Sequence, residues 1–145
     1  MSASTTTKTD LAPPTGTRSV LFNVLMGLTA LAVLLQALWA GIFLQHDGER
    51  DAASSWIDVH AKGGEVAIAL ALIATVVAIV KLRSRKDIWI ASAVLTVLLV
   101  AEAYIGGLIV DQSKDNLTAV HVPLGMAMMA LVVWIPLRVH KAATA

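Results

Sequence analysis

Apolar residues in this chain fall into four long stretches, at residues 20–44, 59–82, 88–110 and 117–137, separated by short polar connections. A hydrocarbon layer about 30 Å thick takes roughly 20 helical residues to cross. The pattern therefore predicts four transmembrane helices, and the connections leave no room for a soluble domain. The fold class that follows is an all-α integral membrane protein, a bundle of four transmembrane helices.

Composition agrees with the pattern. Of 145 residues, 57% are hydrophobic and 14% charged, and the mean hydropathy of +0.76 lies well outside the soluble range. The net charge of +1 is a sum over two membrane faces and points to no nucleic-acid partner. Without cysteine, disulfides, thiolate metal sites, cysteine nucleophiles and haem attached through C-x-x-C-H are excluded.

Basic residues near span ends set the orientation. Lys81, Arg83, Arg85 and Lys86 crowd the second connection, and Arg138 and Lys141 follow the fourth span, so these ends are expected to face the cytoplasm. The first and third connections carry more acids than bases and are expected to face outward. This makes a multi-pass protein of the plasma membrane with both termini cytoplasmic. Residues 1–18 read as a disordered tail, 19–140 as the four-helix domain and 141–145 as a short second tail. The first span is too long for a signal-peptide core, and Leu38 in "ALWAG" spoils a small-x-small cleavage site.

The chain also repeats itself. When "QALWAGIFLQ" (residues 36–45) is laid on "EAYIGGLIVD" (residues 102–111), Gln36 falls on Glu102, Ala40 on Gly106 and Gly41 on Gly107. Beyond the outer connection, Val59-His60-x-x-x-Gly64 falls on Val120-His121-x-x-x-Gly125. The chain reads as two parallel-repeat helical hairpins, related by an approximate two-fold axis along the membrane normal. Counting residues puts Gly41, Gly107, His60 and His121 in one layer near the outer surface. Gly64 and Gly125 lie one turn deeper than the histidines on the same helix faces.

Two imidazoles facing each other across a bundle, with glycines clearing space for a flat group, suit one haem b held by His60 and His121. Val59, Val120, Leu124 and Met128 are candidates for the apolar shell, and Arg50, Lys62 and Lys114 for the propionates. Without haem, the histidines serve as interfacial or helix-capping groups and the glycines as close-packing positions. A mononuclear zinc or copper site would need His46 or Glu65 in addition. His140 lies about 28 Å from His121 along its helix, and span two ends without a counterpart. A single haem is expected, and no self-contained transmembrane electron wire.

Glu102 is a carboxylate inside a span, a functional candidate by default. It would pass protons or bind a quinone or substrate group, making it the candidate catalytic residue. Its structural alternative is a hydrogen bond to Gln36 joining spans one and three.

The stretch "IGGLIVDQSKDNLTAVHVPLGMAMMALVV", with Gly106-Gly107 closing one span and His121 opening the next, resembles the corresponding hairpin of heme A synthase. That family has two four-helix halves, each carrying a histidine pair on its second and fourth helices. One half holds haem b, and the other is the site where haem O is oxidised. The resemblance implies that His60 and His121 form the pair of one such half. This chain lacks the outer-loop cysteines of many members.

Three functional classes follow. The first is a bis-histidine haem b protein in electron transfer or haem handling, an oxidoreductase if it is an enzyme. Its partners would be the lipid bilayer, a quinone or redox protein, and a second copy of the chain as a homodimer. The second is a cofactor-free helical subunit or assembly factor of a larger membrane complex. The third is a small transporter.

Overall fold

A computed structural model describes residues 19–46 and 50–142, without the side chains of residues 50, 51 and 140–142. The tail expected at 1–18 lies outside the described residues, as do residues 143–145 of the tail expected at 141–145, whose residues 141 and 142 instead continue the last helix, and the side chains of Arg50 and His140. Four helices follow one another: α1 (Val20–Gln45), α2 (Arg50–Lys81), α3 (Lys86–Gln112) and α4 (Thr118–Ala142), with a single 3₁₀ turn at Asp115–Leu117 before α4. There is no strand among the described residues. All four helices are long and apolar enough to cross a membrane.

The helix ends follow local chemistry. Ser19 caps α1, its Oγ accepting from the Phe22 N–H at 3.3 Å. At the end of α3, Ser113 takes the left-handed conformation, with φ 53°, and the Lys114 N–H reaches back to the Leu108 carbonyl at 3.3 Å. The Ser113 N–H points to the same carbonyl, and a left-handed residue at a helix end is usually glycine. In the α2–α3 connection, Arg85 bonds Asp87 at 2.9 Å and reaches the Arg138 carbonyl at 3.4 Å, tying the connection to the end of α4.

One boundary differs from the expectation. The second helix starts at Arg50, nine residues before the apolar stretch, so most of the outer connection is helical. Ala52, Ala53, Trp56 and Ile57 sustain a helix, but the polar residues among them give no apolar signal. At 32 residues and a rise of about 1.5 Å each, α2 is longer than a hydrocarbon core is thick. His60 therefore lies in its third turn.

Each helix packs on two neighbours. The α1–α2 interface is the most extensive, α3 packs on α2 and α4, and α1 closes the ring on α4. The diagonals α1/α3 and α2/α4 make no close backbone approach. Along α2, Ala67, Ala71, Ala74 and Ala78 are fully buried at helical spacing. Such a stripe of small side chains lets backbones approach, as membrane helices require when lipid competes for every apolar contact. Buried hydroxyls bond their own helix, Thr29 to the Leu25 carbonyl, Thr75 to Ala71 and Ser92 to Ile88. Thr75 and Thr96 also meet between α2 and α3 at 3.0 Å. The large apolar side chains that remain, among them Val20, Val97, Tyr104 and Met126, point outward and are exposed.

Burial is confined to one half of the bundle. It runs from Phe22 to Val33 in α1, Ala67 to Ala78 in α2 and on to Leu82 just past its end, Ile88 to Glu102 in α3 and Met128 to Val139 in α4. Toward the opposite end Gly63 is the only buried residue among those described. The tightly packed half is the end carrying the α2–α3 connection. The half carrying His60 and His121 is loosely packed.

Candidate functional site

His60 on α2 and His121 on α4 face each other across a diagonal of the bundle. Their ring centroids are 6.3 Å apart and their planes are inclined at 59°. The pair is placed where the buried core ends, with half-buried Phe43, Ile105 and Leu108 toward the open end and half-buried Leu124 one turn toward the packed half. Phe43 meets the His60 ring edge-on, at 5.6 Å and 87°.

Each histidine is oriented from the helix preceding it. His60 Nδ1 lies 3.1 Å from the Gln36 main-chain carbonyl. The carbonyl can only accept, so Nδ1 carries the proton and Nε2 is the bare nitrogen. His121 Nδ1 lies 3.3 Å from Glu102 Oε1, with its N–H off the line of a good hydrogen bond. Both His121 Nδ1 and Glu102 Oε2 are buried without an aligned partner among the described residues. An orphaned buried polar group costs about 1–3 kcal/mol, so a small rotation that aligns the pair is favoured.

Gln36 and Glu102 do not meet. The expected bond between them is absent because α1 and α3 lie on a diagonal, and each side chain turns to an adjacent helix instead. In the orientation that pairs donors with acceptors, the Gln36 amide donates to the His60 carbonyl at 2.7 Å and accepts from the Gly64 N–H at 3.2 Å. Glu102 Oε1 lies against Gly125, where an added Cβ would stand 3.4 Å from it. Gln36 thus sits beside Gly64 as Glu102 sits beside Gly125.

Among the glycines singled out from sequence, Gly64 and Gly125 flank these two polar side chains. A Cβ on Gly41 would meet nothing within 4 Å, and one on Gly107 would meet only Asp111 of its own helix, at 3.8 Å. The glycine against the histidine is Gly106, where a Cβ would stand 3.3 Å from His121 Cε1. Helical phase explains this, since Gly106 is four residues from Glu102 and shares its face. A second position is Gly63, buried under Trp39 and the Gln36 amide, where a Cβ would collide with both. Its signal is its place one turn from His60.

Other expectations are redrawn. Val59 and Val120 are exposed and Met128 belongs to the packed half, so of the expected shell Leu124 remains beside the pair. Lys62 and Glu65 pair with each other at 3.0 Å on the exposed surface, away from the rings. Among the described residues no three His, Cys, Asp or Glu side chains gather as metal ligands, which disfavours the zinc or copper alternative. A groove of about 380 Å³, lined by Trp39, Asp58, Val59, Lys62, Gly63 and Val66, opens on the outer side of α1 and α2, separate from the histidine rings.

The donor set can be tested against a shared metal. Imidazole nitrogens bind first-row metals at about 2.0 Å, and with each ring centre set back roughly a further 1.1 Å, two imidazoles sharing one metal stand about 6.2 Å apart. The observed 6.3 Å fits. Comparison with protein-family models, curated proteins and solved structures finds no match to this chain. The functional reading therefore stands on these residues.

Proposed function

We propose that the protein spans the plasma membrane four times and holds one haem b between His60 and His121 near its outer face, serving electron transfer or haem handling. The observation that carries this reading is the histidine pair itself, 6.3 Å apart across a bundle diagonal, one ring with its Nδ1 already engaged by a carbonyl. The loosely packed half around the pair supports it, because a cofactor there would supply contacts that the side chains do not make. In soluble bundles, too, cofactor sites are built from side chains on facing helices.

In this reading the chain consists of two parallel-repeat hairpins and corresponds to one four-helix half of heme A synthase. The matching settings of Gln36 beside Gly64 and Glu102 beside Gly125 support the repeat. The basic connection at residues 81–86 faces the cytoplasm, as do both termini. Bound haem would supply a one-electron couple, and held by two histidines it would be suited to passing electrons. The chain's own residues bind and orient. His60 and His121 present Nε2, the Gln36 carbonyl holds the His60 ring, and Phe43 and Leu124 exclude water. A quinone or a redox protein would complete the path, and a second copy of the chain would restore the eight-helix form.

The test is the spectrum of protein purified in detergent from haem-replete cells, oxidised and dithionite-reduced, beside His60→Ala and His121→Ala. A sharp low-spin reduced band at one haem per chain, lost in either variant, is expected. A colourless, folded protein after haem reconstitution would refute the reading and favour a cofactor-free subunit of a larger complex.

A further inference from the structure

Glu102 is the one acidic side chain buried among the described residues, with 9% of its surface exposed. A carboxyl group inside a membrane helix is expensive unless something pairs with it. Its counterpart in the repeat alignment, Gln36, is neutral and spends its amide on the main chain of α2. Glu102 instead lies 3.3 Å from a side chain, the His121 imidazole.

The surroundings hold it there. Gly125 leaves just enough room for Oε1, and Gly106 closes on the His121 ring from α3, with added Cβ atoms standing 3.4 Å and 3.3 Å from the two groups. His121 Nδ1 and Glu102 Oε2 have no aligned hydrogen bond to any other described group. The Glu102 carboxyl group also meets the main chain of Gly125, and the His121 ring also faces the main chain of Glu102.

We infer that Glu102 is a positioning residue for His121: its carboxyl oxygen accepts the Nδ1–H, fixes the ring and its tautomer, and leaves Nε2 as the nitrogen offered to iron. Charged or neutral, the carboxyl group has an oxygen that can accept, so the role does not depend on its ionisation. The functional part of this inference rests on the haem reading above, whereas the contact does not. The two histidines then differ in one respect. Each ring faces the main chain of a residue on the preceding helix, Gln36 for His60 and Glu102 for His121, and only His121 has a carboxyl side chain within reach as well. Partners of this kind orient a metal-bound histidine and raise its basicity, and losing one typically costs 10–100-fold in affinity.

The experiment uses the full chain in detergent, comparing wild type with Glu102→Gln, which keeps an accepting oxygen and the shape, and Glu102→Met, which keeps the shape alone. Glu102→Ala replaces the Met variant should that not fold. In apoprotein with ¹⁵N-labelled histidine, His121 should be the Nδ1–H tautomer in wild type and the Gln variant, and a tautomer mixture in the Met variant, with His60 unchanged. In titrations with hemin, the Met variant should bind roughly 10–100-fold more weakly and show an altered low-spin EPR signal, while the Gln variant stays within a few-fold of wild type. Haem binding with no response of tautomer or affinity to the Met variant would overturn the role of Glu102 and leave the haem reading standing. A Gln variant as impaired as the Met variant would also overturn it, since charge rather than an acceptor would then matter. A colourless wild type whose His121 tautomer still follows position 102 would uphold the contact and sink the haem reading.

Discussion

Gly63, one turn from His60, provides a test of the packing that needs no cofactor. A Cβ built there collides with the Trp39 ring and the Gln36 amide, and stands only 2.9 Å from Trp39 Cε3. Relief requires the indole to swing into the neighbouring groove and the amide to leave the His60 carbonyl and Gly64 N–H. Overpacking of this kind costs about 1–3 kcal/mol, and a lost polar contact between membrane helices about 0.6 kcal/mol. Against this, replacing glycine by alanine in a helix returns up to about 1 kcal/mol. Gly63→Ala should therefore destabilise the bundle by about 2 kcal/mol, close to a thirtyfold shift in the folding equilibrium at 1.4 kcal/mol per decade. Gly64→Ala, whose nearest neighbour would be 3.9 Å away, should be neutral or slightly stabilising. Reversible unfolding in mixed micelles with increasing dodecyl sulfate measures both. The cause is isolated by a double-mutant cycle with Trp39→Leu, which should recover at least 1 kcal/mol of the loss through coupling. Equal stability of Gly63→Ala and wild type, or strict additivity with Trp39→Leu, would refute the reasoning.

Three further outcomes follow from the geometry. Gly106→Ala should displace the His121 ring by a few tenths of an ångström and weaken hemin binding several-fold, because the new Cβ would stand 3.3 Å from Cε1, whereas Gly107→Ala should not; hemin titration of the two variants checks this. Ser113→Gly should stabilise the bundle by about 1 kcal/mol, since a left-handed residue with a Cβ costs roughly that much and Ser113 sits at φ 53°; the same micelle unfolding assay measures it. Thr75→Val should cost about 0.6 kcal/mol through loss of the bond to Thr96, and much of that effect should vanish in a Thr96→Val background.

The four helices were legible in the sequence because hydrocarbon imposes its demand on every residue of a span, and a run of apolar side chains declares it without knowledge of neighbours. The start of α2 was not, since Arg50 to Asp58 form a helix outside any apolar run. Likewise the matched V-H-x-x-x-G segments singled out His60 and His121, but could not say how far apart they would stand.

What the tertiary structure alone decided is who faces whom. Gln36 and Glu102 occupy matching positions in the alignment and were natural partners, yet α1 and α3 lie diagonally, so each turns to an adjacent helix. Gly106 and Gly63, rather than Gly107 and Gly64, became the tight positions because rotation about the helix axis selects one of two neighbouring residues to meet the facing side chain. Length and composition make each helix fit to cross an apolar layer, residue by residue. Packing partners depend on the rotation and neighbour order of all four helices together, which no single stretch of sequence contains.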